Sequence, residues 1–279
     1  MKIVIGIDVG GSTTKIVGIK EEGGKRTLIT PQFIKANDPV TATYGAFGKF
    51  TDENNIPIQS ISKVVMTGVG SSHVKSNLYG IDCVRVPEFS CIGNGGIYLS
   101  GLDKALVVSM GTGTAIVNAT RGGEMEYLGG TGVGGGTLLG LSKLLVGAAE
   151  VEHIAAFAEE GDLSNIDLRI KDLTATGAKH ELNADMTAAN FGNVSDVATK
   201  GDIAAGILNL VYETVGMVSI FASRSRGVKD IVLTGNLTRL ESCVRKFEEF
   251  NSLGYGVNFI IPDNSEYSTV IGCAWSAFD

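Results

Sequence analysis

The sequence predicts an α/β fold in which two similar modules face each other across a cleft. Short β-branched strands alternate with helical patterns along most of the chain. Three features also recur in the same order in each half: a strand, glycine turn and strand; a strand that ends in Thr-Gly; and a strand followed by a proline and by a helix that contains glycine and cysteine. The paired segments are residues 8–15 and 109–114, 64–68 and 231–235, and 84–93 and 259–273.

The first module is predicted to comprise residues 1–100. Its helices are marked by helix-start signals: Asp38 is a good N-cap before Pro39, and Pro87 precedes a second apolar helical pattern. These helices are expected to end near residues 54 and 99. Apolar and β-branched runs predict the strands, which are expected at 3–7, 16–19, 26–35, 63–66 and 83–86.

The second module is predicted to comprise residues 101–279, with a helical insertion and a helix that pairs with a second copy. Strands are expected at 105–109, 115–117, 125–128, 230–235 and 257–261. Helices are expected at 137–145, 149–159, 202–225, after residue 235 to about 250, and 267–278. The helix at 202–225 carries apolar residues on more than one side, which predicts a core element and a dimer face. The closing segment, 266–279, could pack with either domain.

Composition excludes several classes of protein. A formal net charge of −7 over 279 residues argues against a nucleic-acid partner, which would need a basic face. The four cysteines form no CxxC pair, so neither a zinc site nor a disulfide framework is predicted. No secretory leader opens the sequence, and no apolar run of about 20 residues is apparent. We therefore expect a cytoplasmic protein with no membrane partner.

The first glycine turn has the composition of a phosphate-binding hairpin. Glycine adopts positive φ at little cost, so a Gly10-Gly11 turn can present backbone N–H groups to an anion. Asp8 before the turn could hold a hydrated Mg²⁺. Lys15 after it supplies a positive charge for a phosphoryl group. The alternative is an ordinary hairpin whose Asp and Lys are solvated.

A second glycine-rich stretch, residues 129–136, leads into a predicted helix at Thr137. A glycine turn that feeds a helix N-terminus can offer unpaired N–H groups and a partial positive charge to a phosphate or a ribose. The alternative is a flexible connection. Six glycines in eight residues would be entropically costly to order without a ligand, which favours a binding role.

Five motifs resemble those of one kinase family. The glycine turns at 8–15 and 111–114 are similar to those of the acetate and sugar kinase, Hsp70 and actin superfamily. The segments 88–91, 129–137 and 185–192 resemble, more narrowly, the type II pantothenate kinases. The resemblance extends over nearly the whole chain. It implies two duplicated ribonuclease H-like (actin-like ATPase) domains with a nucleotide cleft between them.

The same resemblance implies a reaction: phosphorylation of pantothenate by ATP and Mg²⁺, the first step of coenzyme A synthesis. Glu88 would be the general base, Lys15 would act on the transferred phosphoryl group, and Asp8 would hold the metal. The implied substrate contacts are Tyr127, Thr187 and Asn190. The implied nucleotide contacts are Asp8, Gly10, Gly11, Ser12, Thr13, Thr14, Gly111, Thr112, Gly113, Gly134, Gly135, Gly136, Thr137 and Asn236. A homodimer, and inhibition by coenzyme A or its thioesters, are implied as well.

Three alternatives stay open at this level. Glu88 could be a helix-start glutamate that the helix dipole favours, and segment 185–192 could be a structural turn. Tyr127 occupies a position where the family has an arginine that contacts pantothenate, so the acceptor could be another small alcohol, such as an N-acetylhexosamine. Arg121 could replace that arginine. A different class of function is an ATP-binding regulator that is not a kinase.

Overall fold

The structure is a computed structural model that describes residues 2–10, 13–35, 38–74, 77–173 and 184–278. Its first half contains β1 (Lys2–Val9), β2 (Thr13–Glu22), β3 (Lys25–Lys35), α1 (Pro39–Glu53), β4 (Ile61–Thr67), β5 (Asn77–Leu78), β6 (Ile81–Arg85) and α2 (Glu88–Ser100). The six strands form one sheet in the order β3-β2-β1-β4-β6-β5. Strand β1 is antiparallel to β2 and parallel to β4. Asp38 caps α1, as predicted, by accepting a hydrogen bond from the Thr41 N–H.

The second half contains β7 (Lys104–Met110), β8 (Thr114–Thr120), β9 (Met125–Thr131), α3 (Gly135–Leu145), α4 (Val151–Glu159), β10 (Leu168–Arg169), β11 (Thr187–Ala189), α5 (Lys200–Arg226), β12 (Asp230–Thr234), α6 (Glu241–Ser252), β13 (Asn258–Ile260) and α7 (Ser268–Trp275). Five of its strands form a sheet in the order β13-β12-β7-β8-β9. Strands β10 and β11 pair separately.

The two large sheets have the same topology. Strands β7, β8, β9, β12 and β13 take the places of β1, β2, β3, β4 and β6, with the same parallel and antiparallel pairings. The Thr-Gly turn recurs too: Gly68 has φ +86° and Gly235 has φ +96°. Each glycine lies against the main chain of its neighbouring glycine hairpin, at Val9 and Met110, too close for a Cβ. The repeat read from the sequence is therefore a repeat of structure.

The halves exchange their last helices. Helix α2 packs on the second sheet, where its Ile92 and Ile97 meet β7 and β8. Helix α7 packs on the first sheet through residues such as Val270 and Ala274. The sequence left open which domain the closing helix packs with, and the structure places α7 on the first sheet. The domain boundary at residue 100 stays a prediction. Helix α2, which precedes that boundary in sequence, packs on the sheet of the second half.

The two exchanged helices cross at glycines. A Cβ built on Gly95 would lie 1.9 Å from the Ser268 carbonyl oxygen. One built on Gly272 would lie 2.0 Å from the Cys91 carbonyl oxygen. The helix backbones are therefore in direct contact, which fixes the relation of the two sheets on either side of the cleft.

Replacing Gly95 with alanine is expected to destabilise the protein by about 3 kcal/mol, because the new methyl group must push two packed helices apart. The matched control is Gly45→Ala in α1, where a Cβ meets nothing within 4 Å. This control is expected to stabilise by roughly 0.5–1 kcal/mol through helix propensity. Denaturant unfolding of both variants checks the prediction. An unchanged free energy of unfolding for Gly95→Ala would show that the crossing is loose.

Helix α5 forms the core of the second half. It packs against α3, α4, α6 and the second sheet, and its Val211, Tyr212 and Val215 are fully or almost fully buried. By length and composition alone it could cross a bilayer, but most of its apolar stretch is buried inside the protein. The expectation that no apolar run has this length is therefore wrong, and the burial is that of a core helix. Phe221 of α5 is 59% exposed, so the helix also presents an apolar side chain on the protein surface.

The glycine-rich stretch differs from its prediction. Gly129 and Gly130 lie in β9, paired with Ile116 and Ala115 of β8. Gly135 begins α3. The connection is therefore only residues 132–134, and most of these glycines belong to regular structure.

Candidate active site

A cavity of about 480 Å³ lies between the two glycine hairpins. The carboxyl ends of β1 and β7 open into it from the two sheets, and α2 begins at its wall. It brings together Asp8, Lys15, Glu88, Thr112 and Asn236, which come from five separate segments of the chain. Gly10, Thr13, Gly111 and Gly113 also line it. This convergence follows from the duplicated topology, because the equivalent strands β1 and β7 both end at the cleft.

Lys15 connects the two halves of the cavity. It stands on β2, only 8% exposed, and donates a hydrogen bond of 2.7 Å to the Asn236 side-chain oxygen in the second half. It also donates to the Glu266 carbonyl oxygen. Burial lowers the pKa of Lys15, while the Asp8 and Glu266 carboxylates oppose that change. A cation held in this way is well placed to face an anionic ligand.

Asp8 is a second charged group in this cavity. Among the described residues, no group donates a hydrogen bond to it, and its Oδ1 lies against the Gly68 turn. Burial raises its pKa to about 6, Lys15 opposes that rise, and the Glu88 carboxylate adds to it. A carboxylate with no donor in the described part of the chain suits a Mg²⁺ that takes its other ligands from phosphate and water. No group of three or more His, Cys, Asp or Glu side chains suited to a metal occurs in the described ranges, so a metal here would depend on the nucleotide.

Glu88 is the first residue of α2, and its side chain lines the same cavity as Asp8. Partial desolvation in the cleft raises its pKa. A carboxylate with a raised pKa is a stronger base than a solvated one, which suits it to take a proton from a hydroxyl group. The helix-dipole explanation concerns only its position in α2 and does not account for its place in the cavity.

A second cavity of about 500 Å³ adjoins the first. Thr13, Gly111, Thr112 and Asn236 line both. Beyond these shared residues the walls are largely apolar, formed by Phe33 from the first half and by Leu139, Leu237 and Leu240 from the second. A polar cavity joined to an apolar one suits a nucleotide, with its phosphates in the first and its base in the second.

The start of α3 does not offer free N–H groups at two of the predicted positions. The Gly135 N–H donates to the Gly111 carbonyl oxygen and the Gly136 N–H donates to that of Thr112, both at 2.8 Å. The expectation of unpaired N–H groups is wrong for these two residues. A Cβ on Gly134 would lie 2.8 Å from the Gly113 main chain, so these glycines let α3 support the second hairpin. Gly135 and Gly136 still line the second cavity.

Other predicted nucleotide contacts lie differently. Thr14 is only 2% exposed and lines neither cavity, so its position argues against a nucleotide contact. The Thr137 hydroxyl donates to the Gly132 carbonyl oxygen at 3.0 Å and closes the short glycine connection. Gly11 and Ser12 lie outside the described residues.

The predicted substrate residues separate into two places. Tyr127 stacks on Phe89, the neighbour of Glu88, with ring centroids 3.8 Å apart. Thr187 and Asn190 instead donate hydrogen bonds to the Glu213 carboxylate on α5. None of the three predicted substrate residues is among the described residues that line the two cavities. Their contact with a substrate stays a prediction.

Arg121, the sequence's candidate to replace the family arginine, is held by contacts with Asp103 and Leu102. It follows β8 at the end of the sheet opposite to the Gly111–Gly113 turn. There it forms an ion pair with Asp103 and donates to the Leu102 carbonyl oxygen. These contacts argue against Arg121 as the cation that position 127 lacks.

Sequence reasoning missed three cavity residues. Gly68 was noticed as part of the repeat, and that repeat could have placed it beside Asp8. Glu266 contributes its main-chain carbonyl to Lys15, a role that no side-chain pattern reveals. Arg239 lines the second cavity, in the one-turn helix after the second Thr-Gly. It adds positive charge near Lys15.

Comparisons with known proteins agree with this geometry. The model of the Fumble family matches residues 102–246. The type II pantothenate kinase of Oceanobacillus iheyensis is 30% identical over 98% of this chain and 99% of its own length. That of Staphylococcus aureus strain USA300 is 28% identical, over 97% and 98%.

Solved structures with the same fold bind nucleotides. The activator of 2-hydroxyisocaproyl-CoA dehydratase from Clostridium difficile with bound ADPNP has a TM-score of 0.70 at 19% identity, covering 99% of this chain and 94% of that one. A glucokinase of the ROK family from Streptomyces griseus, in complex with glucose and AMPPNP, has a TM-score of 0.59 at 13% identity, covering 98% of each chain. The predicted fold class is confirmed.

Proposed function

Because the chain belongs to the type II pantothenate kinase family, we propose that it transfers the γ-phosphoryl group of ATP to the primary hydroxyl of pantothenate, the first step of coenzyme A synthesis. One observation carries the proposal most directly: Asp8, Lys15 and Glu88 line one cavity between the two glycine hairpins. That cavity continues into a largely apolar one of a size for a nucleoside. We also propose a cytoplasmic homodimer, with the exposed part of α5 as its interface, and inhibition by coenzyme A or its thioesters.

Phosphoryl transfer depends mainly on positioning and on neutralising charge. In the proposed complex the triphosphate lies between the Asp8–Lys15 hairpin and the Gly111–Gly113 hairpin, with the base in the apolar cavity. Lys15, held by Asn236 and the Glu266 carbonyl, faces the transferred group. Asp8 would hold a Mg²⁺, which when bound neutralises phosphate charge.

Glu88 carries the proton transfer. As the acceptor oxygen forms its bond to the γ-phosphorus, the bond from that phosphorus to the bridging oxygen of ADP breaks. The hydroxyl proton passes to the Glu88 carboxylate and then to solvent. The raised pKa of Glu88 favours this transfer. The cleft keeps both carboxylates partly away from water, so that a bound hydroxyl is the group nearest to accept the phosphoryl.

The value of kcat/KM for ATP is expected to fall as the pH drops through about 6, because this ratio reports the enzyme before the nucleotide and its metal bind. Both Asp8, with its pKa near 6, and Glu88, with its raised pKa, must be deprotonated to act. Protonation of Asp8 alone leaves about a tenth of the free enzyme active at pH 5. A pH profile of kcat/KM for ATP from 5 to 8.5, at fixed Mg²⁺ and pantothenate concentrations, measures this. A profile that stays flat down to pH 5 would contradict the assignment of both groups.

An ADP-release assay with several acceptors tests the function itself. The chain is incubated with ATP and Mg²⁺, and with pantothenate, with N-acetylglucosamine or with no acceptor. Release that accelerates with pantothenate supports the proposal. Acceleration by the sugar alone would point to a sugar kinase, and slow release that no acceptor accelerates would point to an ATP-binding regulator.

A further inference from the structure

The strand beside Asp8 carries a buried hydroxyl group. Thr67 is the last residue of β4, and in the parallel ladder it pairs with Asp8 near the end of β1. Its side chain is 1% exposed, and among the described residues its Oγ1 has no hydrogen-bond partner. A buried hydroxyl without a partner is rare and destabilising. Such a group often belongs to a site that an ordered water or a ligand completes.

Thr67 and Asp8 point to the same side of the first sheet. Side chains alternate along a strand, so Thr67 shares the face of Val65, and Asp8 shares that of Val4. Val65 and Val4 both pack in the apolar cluster that contains α7. Neighbouring strands lie about 4.8 Å apart. Two hydrogen bonds of about 2.8 Å each through one water can join oxygen atoms at such a separation.

The two groups complement each other chemically. A carboxylate only accepts hydrogen bonds, whereas a hydroxyl can donate one. In the described part of the chain Asp8 receives no hydrogen bond, and the Thr67 hydroxyl makes none. Gly68, which follows Thr67, lies so close to Asp8 that a Cβ there would be 2.6 Å from its Oδ1. A water between Thr67 and Asp8 would therefore satisfy both groups and hold the carboxylate from behind.

The second half provides an internal comparison. Thr234 ends β12 as Thr67 ends β4, and it pairs with Ser109 of β7 as Thr67 pairs with Asp8. Thr234 is fully buried too, but its hydroxyl donates to the Val108 carbonyl oxygen at 3.4 Å. Within the described ranges, the threonine opposite a serine is thus bonded to the main chain. The threonine opposite the aspartate has no such partner.

We propose that Thr67 is a positioning residue of the Mg²⁺ site: its hydroxyl donates, through one ordered water, to the Asp8 carboxylate and fixes the orientation of that carboxylate. The inference rests on the proposed function, which places the metal at Asp8, and adds the group behind it. Thr67 does not line the phosphate cavity, so it acts through Asp8 and touches neither the nucleotide nor the acceptor. Hydrogen bonds that orient a metal ligand typically contribute about 10–100-fold to metal affinity.

The test measures the affinity for a non-hydrolysable ATP analogue by calorimetry, once with Mg²⁺ and once with EDTA. The ratio of the two dissociation constants reports the contribution of the metal. Thr67→Val nearly keeps the shape of the side chain and removes the hydroxyl. We expect it to reduce this ratio about tenfold, while the dissociation constant in EDTA stays within about twofold. A merely structural role would change both constants alike.

Two controls separate the hydroxyl from the packing. Thr234→Val removes the corresponding hydroxyl of the second half and should leave both dissociation constants within about twofold. Thr67→Ser keeps a hydroxyl and should keep most of the ratio. Thermal unfolding shows whether each variant is folded. If Thr67→Val does not fold, Thr67→Ala removes the same hydroxyl with a smaller side chain and takes its place.

The outcomes distinguish this inference from the proposed function. A folded Thr67→Val variant whose ratio stays within twofold of the original overturns the inference, and so does a ratio near one in the unaltered protein. Equal losses in Thr67→Val and Thr234→Val would overturn it as well, since the effect would then be structural. The kinase activity is judged separately by ADP release with pantothenate. If pantothenate does not accelerate that release and Thr67→Val alone loses the effect of the metal, the proposed function is wrong and the inference stands.

Discussion

Substitution of Glu88 by glutamine is expected to lower kcat by about 10²–10⁴-fold, the usual contribution of a general base. The amide keeps the shape of the side chain and cannot accept the hydroxyl proton. The dissociation constant for a non-hydrolysable ATP analogue should stay within about twofold, because the two glycine hairpins are untouched. Steady-state kinetics and calorimetric titration measure the two quantities separately.

The matched control is Glu241→Gln. Glu241 is the first residue of α6, as Glu88 is of α2, but it lines neither described cavity. If glutamate at a helix start matters only through the dipole, both variants should lose a few tenths of a kcal/mol of stability and no activity. Near-normal kcat for Glu88→Gln would therefore remove the general base from the mechanism and restore that simpler explanation.

Substitution of Asp8 by asparagine is expected to have two opposite effects. Turnover should fall by roughly 10³-fold, because the carboxylate proposed to hold Mg²⁺ is lost. The unliganded protein, however, should become more stable at neutral pH. Burial raises the pKa of Asp8 from an ordinary 3.8 to about 6, so the fold disfavours the ionised form. At about 1.4 kcal/mol for each unit of pKa, ionised Asp8 costs the free protein on the order of 3 kcal/mol.

The pH dependence of stability gives this prediction its sign. A group whose pKa is raised by folding binds a proton more tightly in the folded state, so its contribution is favourable below the unfolded pKa and is lost as the pH rises through the folded pKa. The extra stability of Asp8→Asn should therefore be small near pH 4 and should grow to its full value above pH 6. Denaturant unfolding without nucleotide or metal at these pH values measures it. Equal free energies of unfolding for the two proteins at pH 7.5 would show that ionised Asp8 does not destabilise the fold.

Features encoded by neighbouring residues were predictable from the sequence. The two glycine hairpins, both Thr-Gly turns and the cap at Asp38 depend on local backbone preferences, and the structure contains all of them. The repeat of these features also predicted that both hairpins would open into one cleft. The composition of the first hairpin likewise predicted Asp8 and Lys15 without any knowledge of distant contacts, whereas Thr112 was implied by the family resemblance.

Features that depend on distant contacts were not predictable. The exchange of α2 and α7 between the sheets depends on the close crossing at Gly95 and Gly272. These two glycines are 177 positions apart in the sequence. The paired state of the Gly135 and Gly136 N–H groups depends on where the second hairpin lies. The Phe89–Tyr127 stack joins two elements that no periodicity relates. In each case the residues were visible in the sequence, but their contact partners were determined by the packing of distant elements.

The most direct test of this account is a crystal structure of the protein with a non-hydrolysable ATP analogue, Mg²⁺ and pantothenate. We expect the triphosphate between the Asp8–Lys15 and Gly111–Gly113 hairpins, the metal at Asp8, and the acceptor hydroxyl within about 3 Å of the Glu88 carboxylate. A triphosphate bound outside this cavity, or an acceptor hydroxyl on the far side of the phosphates from Glu88, would contradict it.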